Sequence, residues 1–143
     1  MARHGVVRLG RYDEARAYYE EWTEAEPDNP VPRHMLATVR GETPPLRASD
    51  NYVRTVFDTF ADTFDVHLQR LQYRAPELVL EALRAAGAGE GLRVLDAGCG
   101  TGLCAPLLRP FAALLEGVDL SPKMLERARP SMKAVSSPSC SAS

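Results

Sequence analysis

A glycine-rich loop and an acidic residue beyond it carry the chemistry that this sequence offers. Asp96 is followed by three glycines at alternate positions, and Asp119 lies 19 residues after the second of them. Glycines let a ligand lie against the backbone, and a carboxylate at that spacing accepts hydrogen bonds from ribose hydroxyls. The pattern predicts a nucleoside site made of Asp96, Gly98, Gly100, Gly102 and Asp119.

The spacing of the glycines also distinguishes between ligands. A dinucleotide-binding loop has glycines at relative positions one, three and six, whereas the residue at the sixth position here is Leu103. Asp96, at the exit of the preceding strand, would repel a pyrophosphate docked at the helix N-terminus. The loop therefore favours a cationic ligand without phosphate, such as S-adenosylmethionine (SAM), which carries a sulfonium and an α-amino group.

The elements around the loop form a βαβα unit, which is half of a Rossmann-like α/β fold. Hydrophobic runs predict the strands, and a serine followed by proline predicts the start of the last helix. The expected elements are a strand over 92–95, a helix over about 102–109, a strand over 114–118 that ends at Asp119, and a helix over 122–128 capped by Ser121.

The residues before the loop predict helices only. Helical periodicity covers 11–26 and 31–39, separated by the sequence PDNP, so these two stretches form an αα-hairpin. A longer helix is expected over 49–71 with Ser49 or Asp50 as its N-cap, and another over 76–86. Three phenylalanines at helical steps in the longer helix predict a buried stripe, namely Phe57, Phe60 and Phe64.

The first helix has the order of residues that is typical of a repeat. Gly10, Tyr12, Ala15, Tyr19 and Pro27 resemble the second helix of a tetratricopeptide repeat. The alternative is a pair of amphipathic helices that pack on the following domain, and both interpretations stay open at this point. In neither case do we expect a catalytic role, but the leader is a candidate for binding a protein partner.

The segments VLDAGCGTG and GVDLSPKML resemble the cofactor half of class I SAM-dependent methyltransferases. With the helical leader and the segment YVRTVFDTFADTFDVHLQRLQYRAPE, the order resembles a bacterial group of predicted methyltransferases that contain tetratricopeptide repeats, from Gly10 to about Arg129. The resemblance implies that Asp96 contacts the methionine amino group, that the three glycines line the loop, that Asp119 holds the ribose, and that Leu120 lies beside the adenine. It also implies that an aromatic helix covers the cofactor through Tyr52, Phe57, Phe60 and Phe64.

Four regions follow from these assignments. They are a tetratricopeptide-like segment over 1–45, a helical lead-in over 46–87, a partial Rossmann-like SAM-binding domain over 88–129, and a serine- and proline-rich tail over 130–143 that we expect to be disordered and without a strand. Because this class of domain normally continues through a seven-stranded sheet, our hypothesis is a truncated or frameshifted methyltransferase without its acceptor site, inactive alone. The alternative function is a noncatalytic helical interaction module with a vestigial nucleoside site.

Composition excludes several other classes of function. The chain has 17 basic and 19 acidic residues and a net charge of −2, so no basic field favours nucleic acid or an anionic membrane. No stretch approaches the roughly 18 to 20 apolar residues of a membrane span, and three cysteines make neither a disulfide framework nor a zinc site. We expect a cytoplasmic protein without a metal, and its methyl acceptor and catalytic residues stay unassigned.

Overall fold

The computed structural model describes residues 11–42 and 47–136. The chain divides into two compact units, Met1–Val56 and Phe57–Ser143. The first unit holds helices α1 (Tyr12–Ala25) and α2 (Pro30–Val39), which confirm the two predicted helices, and most of α3 (Asp50–Phe60).

Local capping explains where these helices begin. The side chain of Asn29 accepts a hydrogen bond from Val31 N at 2.9 Å, and Pro30 stands at the first helical position of α2. Of the two predicted caps of α3, Ser49 makes the capping contact, since its Oγ accepts from Tyr52 N at 3.2 Å. Inside this unit Ala15, Tyr19 and Leu36 form a buried cluster between α1 and α2.

The predicted helical lead-in extends from the first unit into the second and is broken in the middle. Instead of one helix over 49–71, α3 ends at Phe60 and α4 (Phe64–Arg70) begins after a turn over 61–63, in which Ala61 is buried. The single-helix prediction was wrong because helical periodicity continues through the turn, while the two halves are held by hydrogen bonds to different parts of the second unit. A further helix, α5 (Ala75–Ala85), follows.

The break also changes the predicted stripe of phenylalanines. Phe57 and Phe60 are 38% and 43% exposed, and no residue of α3 is buried. The prediction of a buried stripe was wrong because the turn places Phe64 on a separate helix, where its ring meets that of Phe57 edge-on at 6.1 Å.

A parallel sheet of order β1-β2-β3 forms the centre of the second unit. Its strands are β1 (Leu92–Ala97), β2 (Ala112–Asp119) and β3 (Lys133–Ser136), with α6 (Ala105–Leu108), a 3-10 turn (Arg109–Phe111) and α7 (Pro122–Ala128) in the connections. The sequence-predicted βαβα order is therefore present. The buried residues between sheet and helices are Cys99, Ala105, Leu108, Leu115, Leu125, Ala128 and Met132.

The strand β3 corrects the prediction that no strand follows Arg129. Lys133 pairs with Glu116 of β2 in register, and its Nζ lies 2.8 Å from a Glu116 carboxylate oxygen. Met132, just before the strand, is 5% exposed. Pairing with β2 and burial of Met132 form this strand, and neither is visible in the local composition. The rest of the predicted tail, 137–143, lies outside the described residues.

Candidate functional site

The site lies where β1 and β2 end. The loop after β1 closes onto β2 because Gly98 N and Cys99 N both donate to the carbonyl of Val118, at 2.8 and 3.0 Å. In the register of the sheet Asp96 lies opposite Gly117. Asp96 and Asp119 are thus brought to the same edge of the sheet, as expected for residues at the carboxyl ends of parallel strands.

All three glycines of the loop have a backbone conformation that favours glycine. Gly98, Gly100 and Gly102 all have positive φ angles, of +77°, +54° and +86°. At Gly102 a Cβ would lie 3.3 Å from Ala128 Cα, so this glycine lets the loop pack on α7. At Gly98 a Cβ would have no neighbouring atom within 4 Å, which leaves open space beside the backbone.

Both carboxylate oxygens of Asp119 make hydrogen bonds with the protein backbone. Its Oδ2 accepts from Gly100 N at 2.9 Å, and its Oδ1 accepts from Ser121 N at 2.8 Å. A carboxylate has about four acceptor positions, so each oxygen retains one for a ligand hydroxyl. Leu120 follows directly and is half-buried.

The carboxylate of Asp96 is incompletely hydrogen-bonded within the described part of the chain. Its Oδ2 is buried and has no hydrogen-bond partner among the residues that the structure describes. Burial, and secondarily the negative charge of Asp119, raise the pKa of the Asp96 carboxyl above its ordinary value. An unpartnered buried carboxylate oxygen is costly, and a cationic N–H donor from a ligand would satisfy it.

Among the four predicted aromatic residues, Phe64 lies next to the loop. Its Cε1 is 3.5 Å from the position that a Cβ on Gly100 would occupy. The ring of Phe57 contacts that of Phe64 edge-on, with centroids 6.1 Å apart. In the first unit the ring of Tyr52 stacks on His34, with centroids 4.0 Å apart.

Two aspartates at the site were not predicted. The hydroxyl of Thr101, in the loop, donates to Asp65 Oδ1 at 2.6 Å. The hydroxyl of Ser121, the N-cap of α7, donates to Asp58 Oδ1 at 2.5 Å. A sequence signal for them exists, because a Phe-Asp pair occurs at 57–58 and again seven residues later at 64–65.

The cysteine beside the loop is structural. Cys99 is buried, and its Sγ lies 2.8 Å from where a Cβ on Gly117 would stand. Burial and then the charge of Asp119 raise the pKa of the Cys99 thiol to about 11. A thiol with so high a pKa is almost entirely protonated near neutral pH and is a poor nucleophile.

A pocket of 310 Å³ opens elsewhere in the second unit, between α4, the start of α5 and the residues after the loop. Asp65, Tyr73, Glu77 and Leu103 are among the residues that line it, and none of the six predicted site residues does.

Within residues 11–42 and 47–136 no helix is long and apolar enough to cross a membrane. No group of three or more histidine, cysteine or acidic side chains in those ranges could hold a metal ion.

Comparison with protein families agrees with these features. Residues 94–141 match the family described as a methyltransferase domain. Residues 5–39 match the tetratricopeptide repeat, which favours the repeat over the alternative of a pair of amphipathic helices that pack on the following domain.

Similar proteins are methyltransferases. Human methyltransferase-like protein 27 is 43% identical over 76 residues, which make up 51% of this chain and 31% of that protein. The malonyl-(acyl-carrier protein) O-methyltransferase of Erwinia pyrifoliae is 37% identical over 90 residues, covering 63% of this chain and 33% of that protein. The chain therefore spans about a third of the length of these curated relatives.

Among solved structures, the magnesium protoporphyrin IX methyltransferase of Synechocystis PCC 6803 with bound S-adenosylhomocysteine (SAH) is 25% identical. The likeness covers 59% of this chain and 50% of that chain, with a TM-score of 0.45. From these matches we conclude that residues 94–141, which contain the loop, are similar to part of a methyltransferase domain, and that residues 5–39 are similar to a tetratricopeptide repeat.

Proposed function

We propose that the second unit binds SAM at the ends of β1 and β2, as the cofactor-binding part of a SAM-dependent methyltransferase. The observation that carries the proposal is the buried, unpartnered Oδ2 of Asp96 at the sheet edge where Gly98 leaves open space. A ligand with a positively charged amino group supplies the donor that this oxygen lacks.

The residues of the site have distinct roles in this proposal. Asp96 accepts from the methionine amino group, Asp119 uses its free acceptor positions for the ribose hydroxyls, and Leu120 lies beside the adenine. Gly98, Gly100 and Gly102 let the ligand approach the backbone. SAM supplies a methyl group on a sulfonium, which a nucleophilic acceptor can take.

Cofactor binding, and not methyl transfer, is the activity that we propose for these 143 residues by themselves. The chain matches about a third of its curated relatives, and among the described residues we assign no acceptor site. Methyl transfer depends on holding the acceptor in line with the methyl group, and we assign this task to none of the described residues.

The second candidate is a helical interaction module in which the nucleoside site is vestigial. The tetratricopeptide match over 5–39 favours a protein partner for the leader. The two functions differ in one measurable property, because only the first requires the chain to bind a nucleoside.

Calorimetric titration of the purified chain with SAH tests the proposal. We expect saturable one-to-one binding and an increase of about tenfold or more in the Kd of Asp119→Ala, because two charge-assisted hydrogen bonds to the ribose are lost. Glu90→Ala, which removes an exposed carboxylate outside the site, should leave the Kd unchanged. Absence of binding to the unmodified chain would favour the interaction module.

A further inference from the structure

The repeated Phe-Asp pair of the lead-in reaches both loops of the proposed cofactor site. Asp58 precedes the turn over 61–63 and Asp65 follows it. Seven residues of unbroken helix would place both side chains on the same helical face. The turn instead lets the two carboxylates approach two different loops.

Asp65 holds the glycine loop. Its Oδ1 accepts from the hydroxyl of Thr101 at 2.6 Å, and Thr101 stands between Gly100 and Gly102 with 8% of its surface exposed. Hydrogen bonds from a hydroxyl to a carboxylate are stronger than those between neutral groups. The contact therefore fixes the start of α4 against the middle of the loop.

Asp58 holds the loop after β2. Its Oδ1 accepts from Ser121 Oγ at 2.5 Å and lies 3.3 Å from Lys123 N. Ser121 is fully buried, and its own backbone N–H donates to Asp119 at 2.8 Å. A chain of hydrogen bonds thus connects the lead-in to the carboxylate proposed to hold the ribose.

We propose that Asp58 and Asp65 are positioning residues that fasten residues 57–70 of the lead-in, which belong to the second unit, across the cofactor site and keep Phe64 against Gly100. This inference rests on the proposed SAM binding. Two fixed points, one on each loop, prevent the segment from swinging away from the site. The lead-in then retards the departure of a bound nucleoside, and removal of either carboxylate raises its dissociation rate.

Stopped-flow and calorimetric measurements with SAH test this assignment. We expect Asp58→Ala and Asp65→Ala each to raise the Kd about tenfold, mainly through faster dissociation. Asp65→Asn keeps an acceptor oxygen and should recover most of the loss. Asp62→Ala is the matched control, since Asp62 lies on the same segment and pairs with Arg127 of α7 at 3.3 Å, but is 89% exposed. The Kd of Asp62→Ala for SAH should equal that of the unmodified chain.

A double-mutant cycle shows whether Asp65 acts through Thr101. Thr101→Val removes the same hydrogen bond from the other side, so the double variant should bind SAH about as weakly as either single variant. If Asp65→Ala does not fold, Thr101→Val measures the same loss alone. Additive losses, or an unchanged dissociation rate in Thr101→Val, would overturn the assignment.

Hydrogen exchange separates positioning from general stability. SAH should slow the exchange of amides over 57–70 in the unmodified chain, and this ligand-dependent protection should disappear in Asp65→Ala at a temperature where that variant is folded. Equal protection in both would contradict the inference while leaving SAM binding intact. A failure of the unmodified chain to bind SAH would instead contradict the proposed function.

Discussion

At the scale of single residues, the surroundings of Asp96 lower the stability of the ligand-free protein. Asp96 has a buried oxygen without a donor, and Asp119 adds a second negative charge nearby. Both features raise the pKa of the Asp96 carboxyl. Binding sites commonly hold such strained groups, because the ligand supplies what the free protein lacks.

Asp96→Asn should stabilise the ligand-free chain at neutral pH and weaken its binding of SAH. A carboxyl whose pKa is raised on folding binds more protons in the folded state, so its contribution to stability falls as the pH rises from the ordinary pKa of an aspartate towards the raised pKa of Asp96. Asparagine has no ionisable group, so the variant does not lose this stability as the pH rises. We expect a higher Tm at pH 7, little change at pH 4, and at least about tenfold weaker binding.

Thermal melts at the two pH values and a titration with SAH check this expectation. SAH binding by the unmodified chain should also weaken as the pH falls through the raised pKa of Asp96, because the protonated carboxyl no longer attracts a cation. A Tm at pH 7 below that of the unmodified chain would show that the Asp96 charge stabilises the fold.

At the scale of elements, the sequence predicts the elements that are determined by residues near to them in the chain. The helix α7 was predicted with its bounds and its cap, because Ser121 Oγ accepts from Met124 N within the same turn. The positive φ angles of the loop occur at its three glycines, which adopt them more readily than other residues. The strand β3 and the break between α3 and α4 depend on partners far away in the chain, so local patterns could not reveal them. Asp58 and Asp65 were missed although they share a repeated Phe-Asp pair, because that pair does not reveal their partners Ser121 and Thr101, which lie 63 and 36 positions away.

The close packing of Met132 on Gly117 of β2 predicts that a larger residue at position 117 destabilises the protein. A Cβ on Gly117 would lie 2.1 Å from Met132 Sδ and 2.8 Å from Cys99 Sγ, both in the buried cluster. Gly117→Ala must displace these side chains and should lower the free energy of unfolding by about 1–3 kcal/mol. Urea unfolding measures the change.

Gly89→Ala is the control for this substitution. A Cβ at position 89 would have no neighbouring atom of the described residues within 4 Å, and the φ angle of Gly89 is not positive. The free energy of unfolding of Gly89→Ala should therefore not decrease. Equal stability of Gly117→Ala and the unmodified chain would mean that Met132 and the strand after it do not pack on β2 in solution.

At the scale of the whole molecule, the two compact units should respond differently to a ligand. The proposed site lies in Phe57–Ser143, and a ligand that binds only the folded state stabilises by about 2.7 kcal/mol at 100 times its Kd. Trp22, the only tryptophan of the chain, lies in α1 of the first unit. Its fluorescence therefore reports on the unit without the proposed site.

We expect SAH to raise the midpoint of a calorimetric transition while the midpoint followed by Trp22 fluorescence stays constant. Malonate at equal ionic strength serves as a control for nonspecific anion effects. A shift of the fluorescence midpoint equal to the calorimetric shift would show that the two units unfold as one.

The hydrogen bonds of Asp58 and Asp65 also have a consequence for the order in which the chain folds during synthesis. They join residues that are 63 and 36 positions apart, so the lead-in leaves the ribosome well before its partners. Contacts of such long range must wait for the intervening chain and slow the final folding step. Until Ser121 has emerged, the aromatic lead-in has no second anchor, and its exposed rings are available to chaperones.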